Sequence, residues 1–97
     1  MFRWFDAKEA KQFGRSLAAF YMAQLPLSMS GGEKKFAAKT QAAMRQMDAQ
    51  VEAFKAAHVI NGYKKAQLGN SFKWALKDAG YDADYTDKLT DWLITRL

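Results

Sequence analysis

Apolar residues recur along this chain at intervals of three and four, which is the period of an amphipathic α-helix. Phe13, Leu17, Phe20 and Tyr21 start one such stripe, and Gln24 and Leu25 continue it. Lys8, Lys11 and Arg15 take the opposite side. Asp6 and Glu9 have the spacing of a capping box, in which each side chain satisfies a free amide at the helix start. Phe2 and Phe5 extend the apolar line toward Met1. Pro26 ends the segment, because the residue before a proline avoids the helical region. The pattern predicts a first helix from about Asp6 to Leu25.

Residues 26–32, Pro-Leu-Ser-Met-Ser-Gly-Gly, read as a loop. Ser30 and Glu33 repeat the capping-box spacing, so Ser30→Ala is expected to cost about 1 kcal/mol in a thermal melt. A long second helix is predicted from about Gly32 to Ala57. Its seam is Phe36, Thr40, Met44, Met47, Val51, Phe54 and His58, in steps close to a heptad. Alanines at 37, 38, 42, 43, 49, 53, 56 and 57 favour the helix and would admit a close neighbour. Asn61-Gly62 reads as its stop.

A third segment, from about Tyr63 to Ala79, carries Leu68, Phe72, Ala75, Leu76 and Ala79 on one face. Gly69-Asn70-Ser71 leaves two readings open, one broken helix or two short ones. Gly80 stops the segment. The last helix begins near Asp82 or Asp84, with Tyr85, Leu89, Trp92, Leu93 and Arg96 on one face. Asp82, Asp84 and Asp87 suit the positive end of its dipole. No strand and no repeat emerge. Each apolar face needs a partner face, and short connections favour antiparallel neighbours. The expectation is an all-α single domain over residues 1–97. It is a compact bundle of four helices, or five if the third is broken. An N-terminal antiparallel hairpin carries the shorter C-terminal helices, and a regular up-down bundle fits less well.

Length changes little in this picture: 97 residues fit one modest core. Three Trp, seven Phe and four Tyr indicate a core or interface built on large rings. There is no cysteine, which excludes disulfides and thiolate ligands and favours a reducing compartment. The first residues carry a charge every few positions, and no apolar run approaches the length of a membrane span. A soluble, cytoplasmic protein is expected. The net charge of +5 is spread along the chain, with +2 in residues 1–25, +2 in 26–60 and +1 in 61–97. That distribution argues for a solvated surface over a massed anion site.

Catalytic chemistry has little support. His58 is the only histidine, without a nucleophile context or a second histidine for a metal, and it reads as a helix-end residue favoured by the dipole. The acids at 78, 82, 84, 87 and 91 miss the EF-hand pattern. Ser30-Gly31-Gly32-Glu33-Lys34-Lys35 is not a Walker A loop. No enzyme, cofactor, metal or small-molecule ligand is expected.

The best-supported reading is an interaction module binding a protein partner or a second copy of itself. Its candidate interface is Met44, Met47, Val51 and Phe54, with Trp4, because methionine suits adaptable surfaces. Most of that seam must pack inside the monomer, but the second helix exceeds the first by a turn or two and should leave apolar surface over. Nucleic-acid binding is the alternative. It rests on Lys34, Lys35 and Lys39 and on Lys64, Lys65, Lys73 and Lys77. Phe72–Leu93 has the outline of a helix-turn-helix, but the acids at its second helix would repel phosphate. A membrane-surface reading, on Met1-Phe2-Arg3-Trp4-Phe5 with Lys8, Lys11 and Arg15, ranks below core packing of the same rings.

Overall fold

A computed structural model describes residues 7–27 and 32–97, the Glu33 side chain aside. Four helices form among the described residues: α1 (Lys8–Gln24), α2 (Gly32–Ala57), α3 (Gly62–Asp78) and α4 (Ala83–Arg96). The chain is all-α, with the shorter C-terminal helices packed on the N-terminal hairpin, as the periodicity predicts. The Asp6 cap, the rings of Phe2, Trp4 and Phe5, and the Ser30–Glu33 capping box lie outside the described residues. At the start of α1, Ala7 holds the cap position without a side-chain bond.

Contacts at the helix ends set the directions. The Phe13 ring stacks on Phe54 at 4.3 Å, so the start of α1 meets the end of α2 and the two are antiparallel. Gly14 faces Leu68, and the Tyr81 hydroxyl donates to the Leu25 carbonyl at 2.7 Å, so α3 runs parallel to α1. Lys77 pairs with Asp87 at 3.2 Å and Gly69 faces Ile94, so α4 returns antiparallel to α3. A regular up-down bundle has only antiparallel neighbours. The parallel α1–α3 contact is what departs from it.

That contact is close because α1 has a face of small residues. Ala10, Gly14 and Ala18 follow one another at four-residue spacing and are buried. A β-carbon at Gly14 would lie 2.5 Å from the Leu68 carbonyl oxygen and 3.0 Å from Ser71 Cβ. Gly69 does the same for α4, since a β-carbon there would lie 2.9 Å from Ile94 Cδ1. This resolves the third segment into one unbroken helix. A glycine inside a helix costs about 0.5–1 kcal/mol, and the close α4 approach offsets it.

Two further readings are corrected. Of the α2 alanines, only Ala43 is buried, so close approach happens at Gly14 and Gly69. The rings of Phe13 and Phe54 hold α2 farther off. Asn61 does not stop α2; its side chain accepts from the Lys64 amide at 2.8 Å and caps α3. Gly80 is a stop as expected. It has φ +96°, and the Tyr81 and Gly80 amides donate back to the carbonyls of Leu76 and Lys77, which is a Schellman close. Asp82 caps α4 by accepting from the Tyr85 amide at 2.9 Å. The core centres on Tyr21, Leu17, Met47, Leu68, Phe72 and Leu93. Burying each large apolar side chain contributes about 1.5–3 kcal/mol.

Candidate functional site

α2 has 26 residues against 17 in α1 and 14 in α4. At 1.5 Å per residue it is about 39 Å long, and its neighbours cannot cover it all. The surplus falls at its N-terminus. From Gly32 to Lys39 every described side chain is exposed, and half-burial begins at Thr40. Phe36 lies one turn before Thr40 on the core-facing line, so its ring continues the stripe past the body and remains 45% exposed.

Beside this overhang the chain leaves α1 through Leu25 and Pro26, and Leu27 is 61% exposed. Three tyrosines gather below. Tyr21 comes from α1, Tyr81 from the α3–α4 turn and Tyr85 from α4. The Tyr21 ring meets Tyr81 edge-on and Tyr85 at a tilt, each at 6.3 Å, and the Tyr21 and Tyr85 hydroxyls hydrogen-bond each other. Burial, and then the Tyr85 hydroxyl, push the Tyr21 phenol well above the usual tyrosine range. Burial also raises Tyr81. These rings, with Leu25, Leu27 and Phe36, line a hollow of about 330 Å³ with Asp82 at its rim.

A second hollow, of about 240 Å³, lies farther along between α2 and α4. Thr40, Met44, Lys88, Leu89 and Trp92 line it, and it shares Tyr85 with the first. Together they form one largely apolar seam, open at the overhang. Its far end is tied: Arg96 pairs with Asp48 at 3.5 Å and lies over the Trp92 ring, and Lys55 donates to the Arg96 carbonyl at 2.8 Å. A larger hollow of about 410 Å³ between α3 and α4 is more polar and contains the Lys73–Asp87 pair.

The structure divides the expected interface residues. Met47 and Val51 are fully buried, so no partner can touch them in this fold and their interface assignment is corrected. The reason is register: both sit where α2 crosses the body. Met44 and Phe54 are half-buried against the core, and only Met44 lines the open seam. Trp4 lies outside the described residues. Leu27, Phe36, Tyr81 and Tyr85 were not singled out as a surface. The usable signal was the excess length of α2, which leaves Phe36 only partly covered.

The seven lysines do not share one surface. Lys34, Lys35 and Lys39 are exposed on the overhang and form no ion pair among the described residues. Lys64 and Lys65 lie at the start of α3, toward the opposite end, and Lys64 reaches the Val59 carbonyl at 3.4 Å. Lys73 and Lys77 converge on Asp87 at 3.9 and 3.2 Å, which offsets at most one of their two charges.

At the other end of α2, His58 stacks on Phe54 at 4.2 Å. Its Nδ1 lies 3.2 Å from the Phe54 carbonyl oxygen, a last-turn acceptor of the kind expected for a helix-end histidine, and its Nε2 lies 2.6 Å from Glu9. The Nδ1 contact stays within the end of α2, and the Nε2 contact with Glu9 fastens that end to α1. No group of three or more His, Cys, Asp or Glu among the described residues is placed to hold a metal ion. No helix among them is long and apolar enough to cross a membrane. No protein-family model matches the chain, and no curated protein or solved structure matches it either.

Proposed function

We propose that this chain is a small non-enzymatic protein-interaction module. Its docking surface is the open end of the α2–α4 seam, away from the buried Met47–Val51 stretch. One observation carries the reading: exposed Leu27 and Phe36 border the first hollow, which shares its Tyr85 wall with the second. Exposed apolar surface rimmed by polar groups is how binding grooves are built. A small domain without cysteines fits the reducing cytoplasm.

The test is an affinity capture from cells with the wild type, Phe36→Asp and Leu27→Asp, with circular dichroism confirming the fold of each. Both residues are exposed, so the variants should fold. Partners retained by the wild type should be lost from both variants. Identical partner sets would overturn the reading.

The second reading is binding of an anionic polymer. Lys34, Lys35 and Lys39, exposed and without an ion pair among the described residues, favour it. It requires affinity that falls steeply with salt and drops when these three lysines are replaced by Ala.

A further inference from the structure

We propose that the occupant of the seam is a second copy of this chain, whose α2 overhang docks there reciprocally to form a twofold dimer. The inference rests on reading the seam as a docking surface and names what fills it. Its ground is self-complementarity. One end of the molecule carries both halves of a contact: a helix end with Phe36, 45% exposed, on its apolar line, and beside it an apolar hollow over Tyr81 and Tyr85 that the same ring borders. A twofold axis lets each copy use both at once, and this is the commonest symmetry for such a surface.

Charge points the same way. Lys35 and Lys39 run one turn apart beside Phe36, exposed and unpaired among the described residues, with Lys34 adjacent. Acids occupy the opposing rim. Asp82 borders the hollow, and exposed Asp84 has, among the described residues, one surface ion pair, at 3.4 Å with Lys88, which lines the second hollow. Reciprocal docking sets the basic overhang of each copy against the acidic start of α4 in the other. That arrangement fixes register and disfavours the reversed one. An unlike partner would have to supply both an apolar ridge with basic flanks and an acid-rimmed hollow. A second copy has both by construction.

The interface is modest, so association is concentration-dependent. Stable interfaces bury about 800 Å² per partner, and the overhang alone offers less. Both hollows must be covered, which is why Tyr85, their common wall, sits at the centre of the contact.

The experiment is sedimentation equilibrium over a wide concentration range on nuclease-treated protein. The mass should rise from 11.0 kDa toward twice that value. Phe36→Asp should raise the dissociation constant about tenfold or more. Lys35→Glu with Lys39→Glu should be monomeric alone, and so should Asp84→Lys. Mixed together, the two should form a heterodimer, since each overhang then meets an opposite rim. Asp82 is left in place because it caps α4. A wild type that is monomeric at every concentration overturns the proposal, as does a mixture that stays monomeric, or a dimer unaffected by Phe36→Asp.

Titration of methyl-labelled methionine with an apolar dye separates this failure from that of the docking reading. Monomeric protein whose Met44 signal shifts with the dye, and loses the shift in Phe36→Asp, keeps the groove and rejects the second copy. Monomeric protein with no shift rejects both.

Discussion

The sharpest consequence of the fold is that one glycine in a helix should resist replacement by alanine. In an ordinary helix interior, Gly→Ala stabilises by about 0.5–1 kcal/mol, since it lowers the conformational entropy of the unfolded chain. At Gly14 the new methyl would lie 2.5 Å from the Leu68 carbonyl oxygen, where ordinary contact begins at 3.4 Å. The obstacle is backbone, flanked by Ser71 Cβ at 3.0 Å and the Phe72 amide nitrogen at 3.2 Å, so no side chain can swing aside. Relief requires α1 and α3 to separate. A gap of about 0.5–1 Å forfeits a quarter to a half of each dispersion contact along the face. Overpacking costs about 1–3 kcal/mol, and two rigid helices place this case in the upper part of that range. After the entropic gain, Gly14→Ala should destabilise by about 1–2 kcal/mol. For a domain of this size the melting temperature should fall by about 4–16 °C.

Two sister variants make the test internal. Gly62 starts α3, has nothing within 4 Å of its would-be β-carbon and has no positive φ, so Gly62→Ala should gain about 0.4–1 kcal/mol. Gly69→Ala meets Ile94 Cδ1 at 2.9 Å, the mobile end of a side chain, and should fall between them. Calorimetric melts of the three variants beside the wild type check the order. A Gly14→Ala protein that melts at or above the wild type would refute the close α1–α3 packing. Gly62→Ala melting below Gly14→Ala would do the same.

Other outcomes follow from single side chains. Met47 is fully buried, so Met47→Lys should unfold the protein, with loss of the helical circular dichroism signal; a folded variant would return Met47 to the interface. Thr86 Oγ1 is buried without a hydrogen-bond partner among the described residues, so Thr86→Val should raise stability by about 1 kcal/mol in urea unfolding, and a loss would indicate an unseen partner. Tyr21 keeps its proton in the fold to higher pH than in the unfolded chain. Above about pH 10 the unfolded state therefore binds fewer protons, and stability should fall by up to about 1.4 kcal/mol per pH unit. Tyr21→Phe should flatten that slope in alkaline melts, and an unchanged slope would count against the buried phenol.

The helices were legible because periodicity reports which side faces inward, and it places α2 at Gly32–Ala57 without adjustment. The continuity of the third helix and the partner of α1 were not legible. A glycine reads locally as a helix breaker, and only a neighbour at close range makes it a packing residue, as at Gly69. Ala10, Gly14 and Ala18 have no hydrophobic bulk to register in a stripe, so the large rings of α1 drew attention to its α2 side. The candidate site was half legible. The excess length of α2 implied uncovered apolar surface, but the Met47–Val51 stretch lies where crossing helices bury it. The tyrosine-lined hollow joins residues far apart in sequence, and no spacing rule links Tyr21 to Tyr85.

The two faces of α1 also explain why a groove exists where it does. Its small face lets α3 approach until backbone meets side-chain stems, and α4 follows through Gly69, so α1, α3 and α4 form a tight unit. Its large face holds α2 off through the stacked rings of Phe13, Phe54 and His58. A helix held at ring distance from α1 does not close onto α4 as well. The space between them is bridged at one end by Asp48, Lys55 and Arg96, and at the other is lined, among the described residues, by Phe36, Tyr85 and Leu27 with their neighbours. Enlarging the small face would loosen the unit that braces α4. Shrinking the rings would let α2 settle and narrow the seam. On this argument Phe54→Ala should cost stability and also reduce association, although Phe54 lies near the end of α2 opposite the docking surface.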